Sequence, residues 1–191
     1  MSHEFAFERV GIVGLGLMGG SLARALRVLA NPPRVVAFNR HRDGAEWALA
    51  EGEIDAVADS AEEATEGKDL VIYATPLDVA LEMMRDHAAG WGDATVTDVA
   101  GLKKPLASVA GELGFAEQFV GSHPMVGGTA TGYEASSADL FAGETVFVCG
   151  GAAESERIKA VESMWQGMGA RVRPIDADAH DRLMVWASHL P

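Results

Sequence analysis

The sequence has little cysteine, little lysine and no long apolar segment. Its single cysteine, Cys149, cannot form an internal disulfide, which is typical of a protein from a reducing compartment. No segment approaches the roughly 18 uninterrupted apolar residues that a membrane helix needs. Residues 1–9 lack the basic and apolar regions of a signal peptide. We therefore expect a cytoplasmic protein that does not enter a membrane.

Positive charge is also scarce. The 15 Lys and Arg residues stand against 28 Asp and Glu residues, which gives a formal net charge of −13. A surface of this charge repels nucleic acids and anionic membranes at long range, so neither is expected as a partner. With 191 residues, the chain is long enough for one well-buried domain but too short for two of ordinary size and a linker.

Short apolar runs alternate with amphipathic stretches along the chain. This alternation predicts an α/β protein with a Rossmann-type, doubly wound and mostly parallel sheet and helices on both faces. Because the runs are apolar on both faces, each is expected to be a buried parallel strand. The predicted strands are 10–13, 35–38, 70–74, 95–99, 119–121 and 145–149, with a further short strand at 171–174. The predicted helices are 17–29, 42–51, 77–88, 103–113, 155–168 and 177–190.

A strand, a glycine-rich turn and a helix start follow one another near the N-terminus. Gly14 permits the tight turn, Gly16 lets a pyrophosphate approach the backbone, and Gly19 lets the helix pack closely on the strand. The free amides of Leu17 and Met18 at the helix N-terminus would face the phosphate charge. This arrangement predicts a site for a nicotinamide dinucleotide.

The end of the second predicted strand bears on which dinucleotide is used. A site that prefers NAD usually offers an Asp or Glu there to the adenosine ribose. This sequence has Asn39, which can hydrogen-bond a ribose, and then Arg40, which is placed to neutralise a 2′-phosphate with help from His41 or Arg42. We expect NADP to be favoured over NAD, and the alternative is that these arginines are simply solvated residues at a helix start.

Two other strand ends belong to the predicted cofactor site. Ala74, Thr75 and Pro76 place a small residue and a helix-starting proline at the carboxyl edge of the sheet. The nicotinamide ribose lies at that edge in such folds. Val99 ends the next predicted strand and is expected at the same cleft, while Thr75 could equally cap the helix that follows it.

His123 lies at a junction between a strand and a loop, beside a proline and flexible glycines. Histidine accepts a proton near neutral pH, as the oxidation of an alcohol requires, although a purely structural histidine is the alternative. His180 and His189 are nine residues apart on one predicted helix, which puts them on opposite faces. With one cysteine and no HExxH or CxxC pattern, no metal is expected.

Taken together, these residues resemble the prephenate and arogenate (cyclohexadienyl) dehydrogenase family of tyrosine biosynthesis. The resemblance implies an NAD(P)-dependent oxidative decarboxylation of prephenate or arogenate. Hydride would pass from the ring C4 carbinol to the nicotinamide, and the ring carboxylate would leave as CO2. The matching segments are 14–21, 97–99 with Lys103, 121–125, 139–141, 180–181 and 188–191.

The resemblance also implies roles for individual residues. His123 would take the proton of the C4 hydroxyl, and His189 would lie near the substrate. Ser122, Gly101 and Thr129 would also lie at the substrate. Gly101 stands where many members have a serine, and Thr129 is not followed by the glutamate found in many prephenate-specific members. The choice between prephenate and arogenate therefore stays open.

The end of the sequence is apolar and has no helix cap, so we expect the natural protein to continue. In the family, the chain continues into a helical domain that forms a homodimer and closes the active site. The resemblance thus implies an NAD(P)-binding domain at 1–175 and the start of a helical dimerisation domain at 176–191. The 191 residues alone are expected to bind cofactor but to turn over little or no substrate.

Two alternative functions stay open. One is a β-hydroxyacid dehydrogenase, a class that shares the glycine loop and the Asn-Arg pair after the second strand but uses a lysine on a later helix. The other is a non-catalytic module that binds NADP(H).

Overall fold

The structure is a computed structural model that describes residues 5–126 and 130–188, with side chains as far as Trp186. Strands and helices alternate along the described chain, and two short 3-10 turns at Ala88–Gly90 and Tyr133–Ala135 interrupt the connections. The strands are β1 (Arg9–Val13), β2 (Arg34–Phe38), β3 (Ala56–Val57), β4 (Leu70–Tyr73), β5 (Thr95–Asp98), β6 (Phe119–Pro124), β7 (Thr145–Cys149) and β8 (Arg171–Pro174). The helices are α1 (Leu17–Arg27), α2 (Arg42–Ala50), α3 (Ala61–Thr65), α4 (Leu77–His87), α5 (Lys104–Glu112), α6 (Ser155–Gly167) and α7 (Ala177–Ser188).

The strands form one sheet in the order β3-β2-β1-β4-β5-β6-β7-β8. All pairs from β3 to β6 are parallel. The order reverses between β1 and β4, and ligands of such sheets bind outside the carboxyl ends of the strands at this switch point. The predicted Rossmann-type fold is confirmed, and it brings the ends of β1, β4, β5 and β6 to one edge.

One strand runs in a direction that the sequence did not predict. A parallel strand was expected at 145–149, and this predicted direction is wrong. β7 pairs antiparallel with β6 and places Phe147 opposite His123. A parallel return would need a crossover connection, usually a helix. The described part of the connection between β6 and β7 contains only the 3-10 turn at Tyr133–Ala135, so the chain returns directly beside β6. β8 then pairs parallel with β7.

The connection between β2 and β4 contains two elements that the sequence analysis missed. β3 has only two residues, which is too short for a periodic pattern. The five-residue helix α3 begins after Ser60, whose hydroxyl accepts a hydrogen bond from the Glu63 amide at 3.1 Å. A serine followed by a glutamate three residues later is a known signal for a helix start, so this element was detectable.

Apolar side chains cover both faces of the sheet. Ile12 and Val13 are adjacent in β1 and both fully buried, yet they belong to two different clusters because successive strand residues point to opposite faces. One cluster includes Leu26 of α1 and Trp165 of α6, and the other includes Met84 of α4. Burial on both faces explains why the strands are continuous apolar runs.

The last described element is α7. It ends at Ser188, and the remaining residues of the predicted helix 177–190 lie outside the described part of the chain. Leu183, Val185 and Trp186 of α7 are exposed. Within residues 5–126 and 130–188, no helix is both long and apolar enough to cross a membrane.

Candidate active site

The glycine loop joins β1 to α1 at the carboxyl edge of the sheet. Gly14 has a φ of +100°, which only glycine adopts readily, and its amide donates to the Phe38 carbonyl at 2.8 Å. A Cβ on Gly19 would lie 1.8 Å from the Gly14 carbonyl oxygen, so no side chain fits there. A Cβ on Gly16, in contrast, would meet nothing within 4 Å. The loop therefore packs tightly at Gly14 and Gly19 and leaves open space at Gly16.

The N-terminus of α1 faces this open space. Gly16 precedes the helix without a side-chain cap, and the first turn has no acidic residue. The first amides of a helix have no partner inside the helix, so those of Leu17 and Met18 are available to an anion. The structure thus places both residues at the end of a helix that is suited to bind phosphate.

A cleft of about 220 Å³ lies beside the loop. Thr75 lines it, and the Thr75 hydroxyl is buried without a hydrogen-bond partner in the described structure. An unpaired buried hydroxyl and an open cradle at Gly16 are both features that a bound dinucleotide would satisfy. Eight of the residues predicted to bind cofactor line the cleft, namely Gly14, Gly16, Asn39, Arg40, His41, Ala74, Thr75 and Pro76.

Asn39 is already engaged within the protein. Its side-chain oxygen accepts from the Leu15 amide at 3.1 Å, and its side-chain nitrogen donates to the His41 carbonyl at 2.8 Å. These bonds tie the glycine loop to the end of β2. A hydrogen bond from Asn39 to a ribose stays a prediction.

The two arginines after β2 differ in their surroundings. Arg42 forms ion pairs with Asp59 at 2.7 Å and with Glu46 at 3.5 Å. Arg40 is exposed, lines the cleft and has no ion pair among the described residues. Arg40 is therefore the cation that is free to meet a ligand.

Val99 follows β5, and its amide donates to the Tyr73 carbonyl at 3.2 Å. This bond extends the pairing of β4 and β5 by one residue. The Val99 side chain is half-buried and packs against the core on the side of α1. Contact between Val99 and a cofactor stays a prediction.

A buried ion pair between Asp98 and Lys103 lies beneath the ends of β5 and β6. Both side chains have no exposed surface. Asp98 also accepts from the amides of Ala100 at 2.8 Å and Ser122 at 3.1 Å, and the Lys103 ammonium donates to the Ser122 carbonyl at 2.6 Å. Burial raises the pKa of Asp98 and lowers that of Lys103, while the pairing opposes both changes. The pair locks β6 to β5 just before His123.

The Ser122 side chain points away from this ion pair. Its hydroxyl is fully buried, lies 2.9 Å from the Thr97 hydroxyl and accepts from the Trp165 indole at 3.0 Å. The described geometry gives Ser122 a structural role in holding β6. Its predicted contact with substrate stays a prediction.

His123 is half-buried at the edge of the sheet. Its Nδ1 lies 2.9 Å from Nε2 of His180, while no hydrogen bond to its own Nε2 is found within the described residues. A Cβ on Gly101 would lie 3.9 Å from that Nε2. Burial, followed by the charge of Lys103 and the neighbouring His180, lowers the pKa of His123 to about 4. His123 is therefore a neutral imidazole near pH 7.

His180 is the site residue that the sequence analysis missed. It was considered only for metal binding, yet it is fully buried beside His123, and its Nδ1 lies 2.7 Å from the Asp181 carboxylate. Helical spacing could not reveal this contact, because His123 and His180 are 57 residues apart. The available signal was the adjacent His180-Asp181 pair among the segments that carried the family resemblance.

Two predicted site residues cannot be placed. Thr129 and His189 lie outside the described residues. Within the part that is described, no group of three or more His, Cys, Asp or Glu side chains is arranged to hold a metal ion.

The glycine loop and the parallel sheet define a class, the α/β domains that bind nicotinamide dinucleotides. A more specific assignment comes from comparison with protein families. Residues 22–174 match the family described as "Prephenate dehydrogenase, nucleotide-binding domain". The chain therefore belongs to this family, as its resemblance predicted.

Individual relatives agree with this assignment. A prephenate dehydrogenase of Bacillus subtilis is 29% identical over 190 residues, which are 96% of this chain and 51% of the relative. The chain spans about half the length of several curated relatives that it matches.

Solved structures of the same family have the same fold. Prephenate dehydrogenase from Aquifex aeolicus, in complex with hydroxyphenyl propionate and NAD+, is 27% identical with a TM-score of 0.82, over 92% of this chain and 62% of that one. Synechocystis arogenate dehydrogenase is 25% identical with a TM-score of 0.86, over 95% of this chain and 64% of that one.

Proposed function

We propose that this chain is the cofactor-binding part of an NAD(P)-dependent dehydrogenase that oxidises prephenate or arogenate with decarboxylation. The family assignment supports an oxidoreductase of this kind. The observation that carries the proposal is His123, a neutral imidazole whose Nε2 has no partner among the described residues and which lies at the same edge of the sheet as the glycine loop. The β-hydroxyacid alternative is not supported, since the family match is to a different class of dehydrogenase.

The cofactor would accept a hydride from C4 of the substrate ring. His123 Nε2 would take the proton of the C4 hydroxyl, because the C–H bond releases hydride more readily as the oxygen loses its proton. The C4 oxygen then forms a carbonyl, the ring carboxylate leaves as CO2, and its bonding electrons complete the aromatic ring. With a pKa of about 4, His123 is neutral at pH 7, so its Nε2 can accept a proton there.

The residues that would hold the cofactor follow from the cleft. The amides of Leu17 and Met18 and the open backbone at Gly16 would meet the pyrophosphate. Thr75, with its unpaired hydroxyl, would meet the nicotinamide half of the cofactor. Arg40 supports a preference for NADP, because it is a free cation at the end of β2 where an acidic residue would select NAD.

The division into a domain at 1–175 and a helical dimerisation domain that begins at 176 belongs to this proposal. So do a role for His189 and Thr129 near the substrate, the formation of a homodimer, and a cytoplasmic location. We infer from the resemblance that the 191 residues bind cofactor and have little turnover.

The experiment is the substitution His123→Asn in the complete natural protein. The asparagine amide can keep a hydrogen bond with Nε2 of His180, while the base at Nε2 of His123 is lost. We expect kcat to fall by about 10²- to 10⁴-fold with an unchanged Kd for the cofactor. His87→Asn, on α4, is the matched control and should change neither. Unchanged turnover in His123→Asn would contradict the role of His123 as the base, and the absence of turnover in the unsubstituted complete protein would favour a non-catalytic cofactor-binding module.

A further inference from the structure

A chain of hydrogen bonds connects the N-terminus of α5 to His123. The Asp181 carboxylate accepts from the backbone amides of Lys103 at 2.8 Å and Lys104 at 3.0 Å. It also lies 2.7 Å from His180 Nδ1, and His180 Nε2 lies 2.9 Å from His123 Nδ1. These contacts bring α5, α7 and β6 together at one point.

The positions of the protons follow from what each group can do. Burial raises the pKa of Asp181, but the hydrogen bonds from Lys103, His180 and Lys104 bring it below its ordinary value. Asp181 is thus a carboxylate, which only accepts hydrogen bonds, so His180 carries its proton on Nδ1. With a single ring proton, which is on Nδ1, His180 offers a lone pair on Nε2, and His123 then donates its own Nδ1–H to it. The lone pair of His123 is left on Nε2.

His180 is well held for this task. Its side chain is fully buried and packs edge-on against Phe147 of β7, with ring centroids 5.4 Å apart. His123 makes a similar edge-on contact with His180, at 5.1 Å. Fixed rings are needed because a tautomer is selected only while the partner stays within hydrogen-bond distance.

We propose that His180 and Asp181 are positioning residues that hold His123 in its Nδ1–H tautomer, so that Nε2 is the basic atom. The tautomer rests on these contacts and on an ionised Asp181, while its consequence for catalysis rests on the proposed function. An imidazole in water prefers the opposite tautomer, with the proton on Nε2. Without His180, most His123 side chains would therefore present an N–H rather than a lone pair to the substrate hydroxyl.

The test is NMR spectroscopy of the 191-residue chain labelled with ¹⁵N-histidine near pH 7.5. Long-range ¹H–¹⁵N spectra distinguish a protonated ring nitrogen from an unprotonated one. We expect protonated Nδ1 and unprotonated Nε2 at both His123 and His180. A wild-type spectrum with the His123 proton on Nε2 would overturn the proposal without any variant.

Substitutions sharpen this measurement. In His180→Phe, His123 should shift mainly to the Nε2–H tautomer. In His180→Gln, the amide oxygen can replace the ring Nε2 as an acceptor, so the wild-type tautomer should be largely retained. His87→Gln is the control and should leave the His123 signals unchanged. If His180→Phe fails to fold, the wild-type and His180→Gln spectra still decide, and an unchanged tautomer in folded His180→Phe contradicts the proposal.

Turnover gives a separate readout in the complete natural protein. We expect His180→Phe to lower kcat by about 10- to 100-fold, the range for hydrogen-bond partners that orient metal-ligating histidines, with unchanged cofactor Kd and partial recovery in His180→Gln. If the proposed function is wrong, the NMR result stands and the turnover result is lost. If the positioning role of His180 is wrong, His123→Asn impairs turnover while His180→Phe does not.

Discussion

The glycine loop after β1 and the network beneath His123 lie at the same edge of the sheet but are built by different means. The loop is formed by backbone atoms, and there is no room for a side chain at Gly14 or Gly19. The network is formed by charged and polar side chains of β5, β6, α7 and Lys103, the residue before α5, and its Asp98–Lys103 pair is buried. The loop is suited to bind a phosphate, while the network is suited to hold the His123 imidazole in one tautomer.

The two regions should therefore respond differently to substitution. A side chain added to the loop needs space, so the loss of unfolding free energy depends on which atoms the new Cβ would contact. A side chain removed from the network leaves a buried charge or donor unpaired, which is costly whatever the space. The following substitutions test this contrast.

The largest effect is expected for Lys103→Met. This change leaves the Asp98 carboxylate buried without its cation, and breaking such a pair costs about 3–5 kcal/mol of unfolding free energy. Lys104→Met is the matched control, because Lys104 pairs with Asp178 at 2.7 Å on the exposed surface, where an ion pair contributes little to stability. Urea unfolding measures both, and equal losses would contradict the assignment of Lys103 to a buried pair.

Gly19→Ala is expected to come next. Its Cβ would meet the Gly14 carbonyl at 1.8 Å, so the loop and α1 must move apart, at a cost of about 1–3 kcal/mol. Gly16→Ala is the control for stability, since its Cβ meets nothing within 4 Å and stability should hardly change.

Gly16→Ala should nevertheless weaken cofactor binding about tenfold or more, as measured by calorimetry. Full cofactor affinity in Gly16→Ala would contradict a pyrophosphate at this position.

These two regions also differ in how far they could be predicted. The glycine loop depends on residues within one strand, turn and helix, so its spacing alone predicted its structure. The Asp98–Lys103 pair and the contact of His123 with His180 join residues that helical or strand periodicity does not relate. Periodicity also carries no information on strand direction, and for that reason β7 was expected to be parallel.

A smaller effect concerns the pKa of His123. Its expected value in the cofactor-free chain is about 4, below the ordinary 6.5, chiefly because of burial. The fold thus favours the neutral ring, so this contribution to stability is complete above pH 6.5 and is lost as the pH falls toward 4. NMR titration of the ring proton on Cε1 measures the pKa, and His123→Gln should remove this part of the pH dependence of unfolding. A midpoint near 6.5 would show that the imidazole is not desolvated.

The smallest effect is expected for Arg40→Ala. The Arg40 guanidinium is exposed, so its pairing with a 2′-phosphate is expected to contribute about 1 kcal/mol, or about fivefold in Kd. The Kd of NADP should rise by that factor while that of NAD stays nearly constant. Arg42→Ala is the control and should change neither, because Asp59 and Glu46 already hold Arg42. A clear preference of the unsubstituted chain for NAD would contradict the role of Arg40. The end of β2 would then bind the cofactor through Asn39 and backbone atoms, as the glycine loop binds it through its backbone.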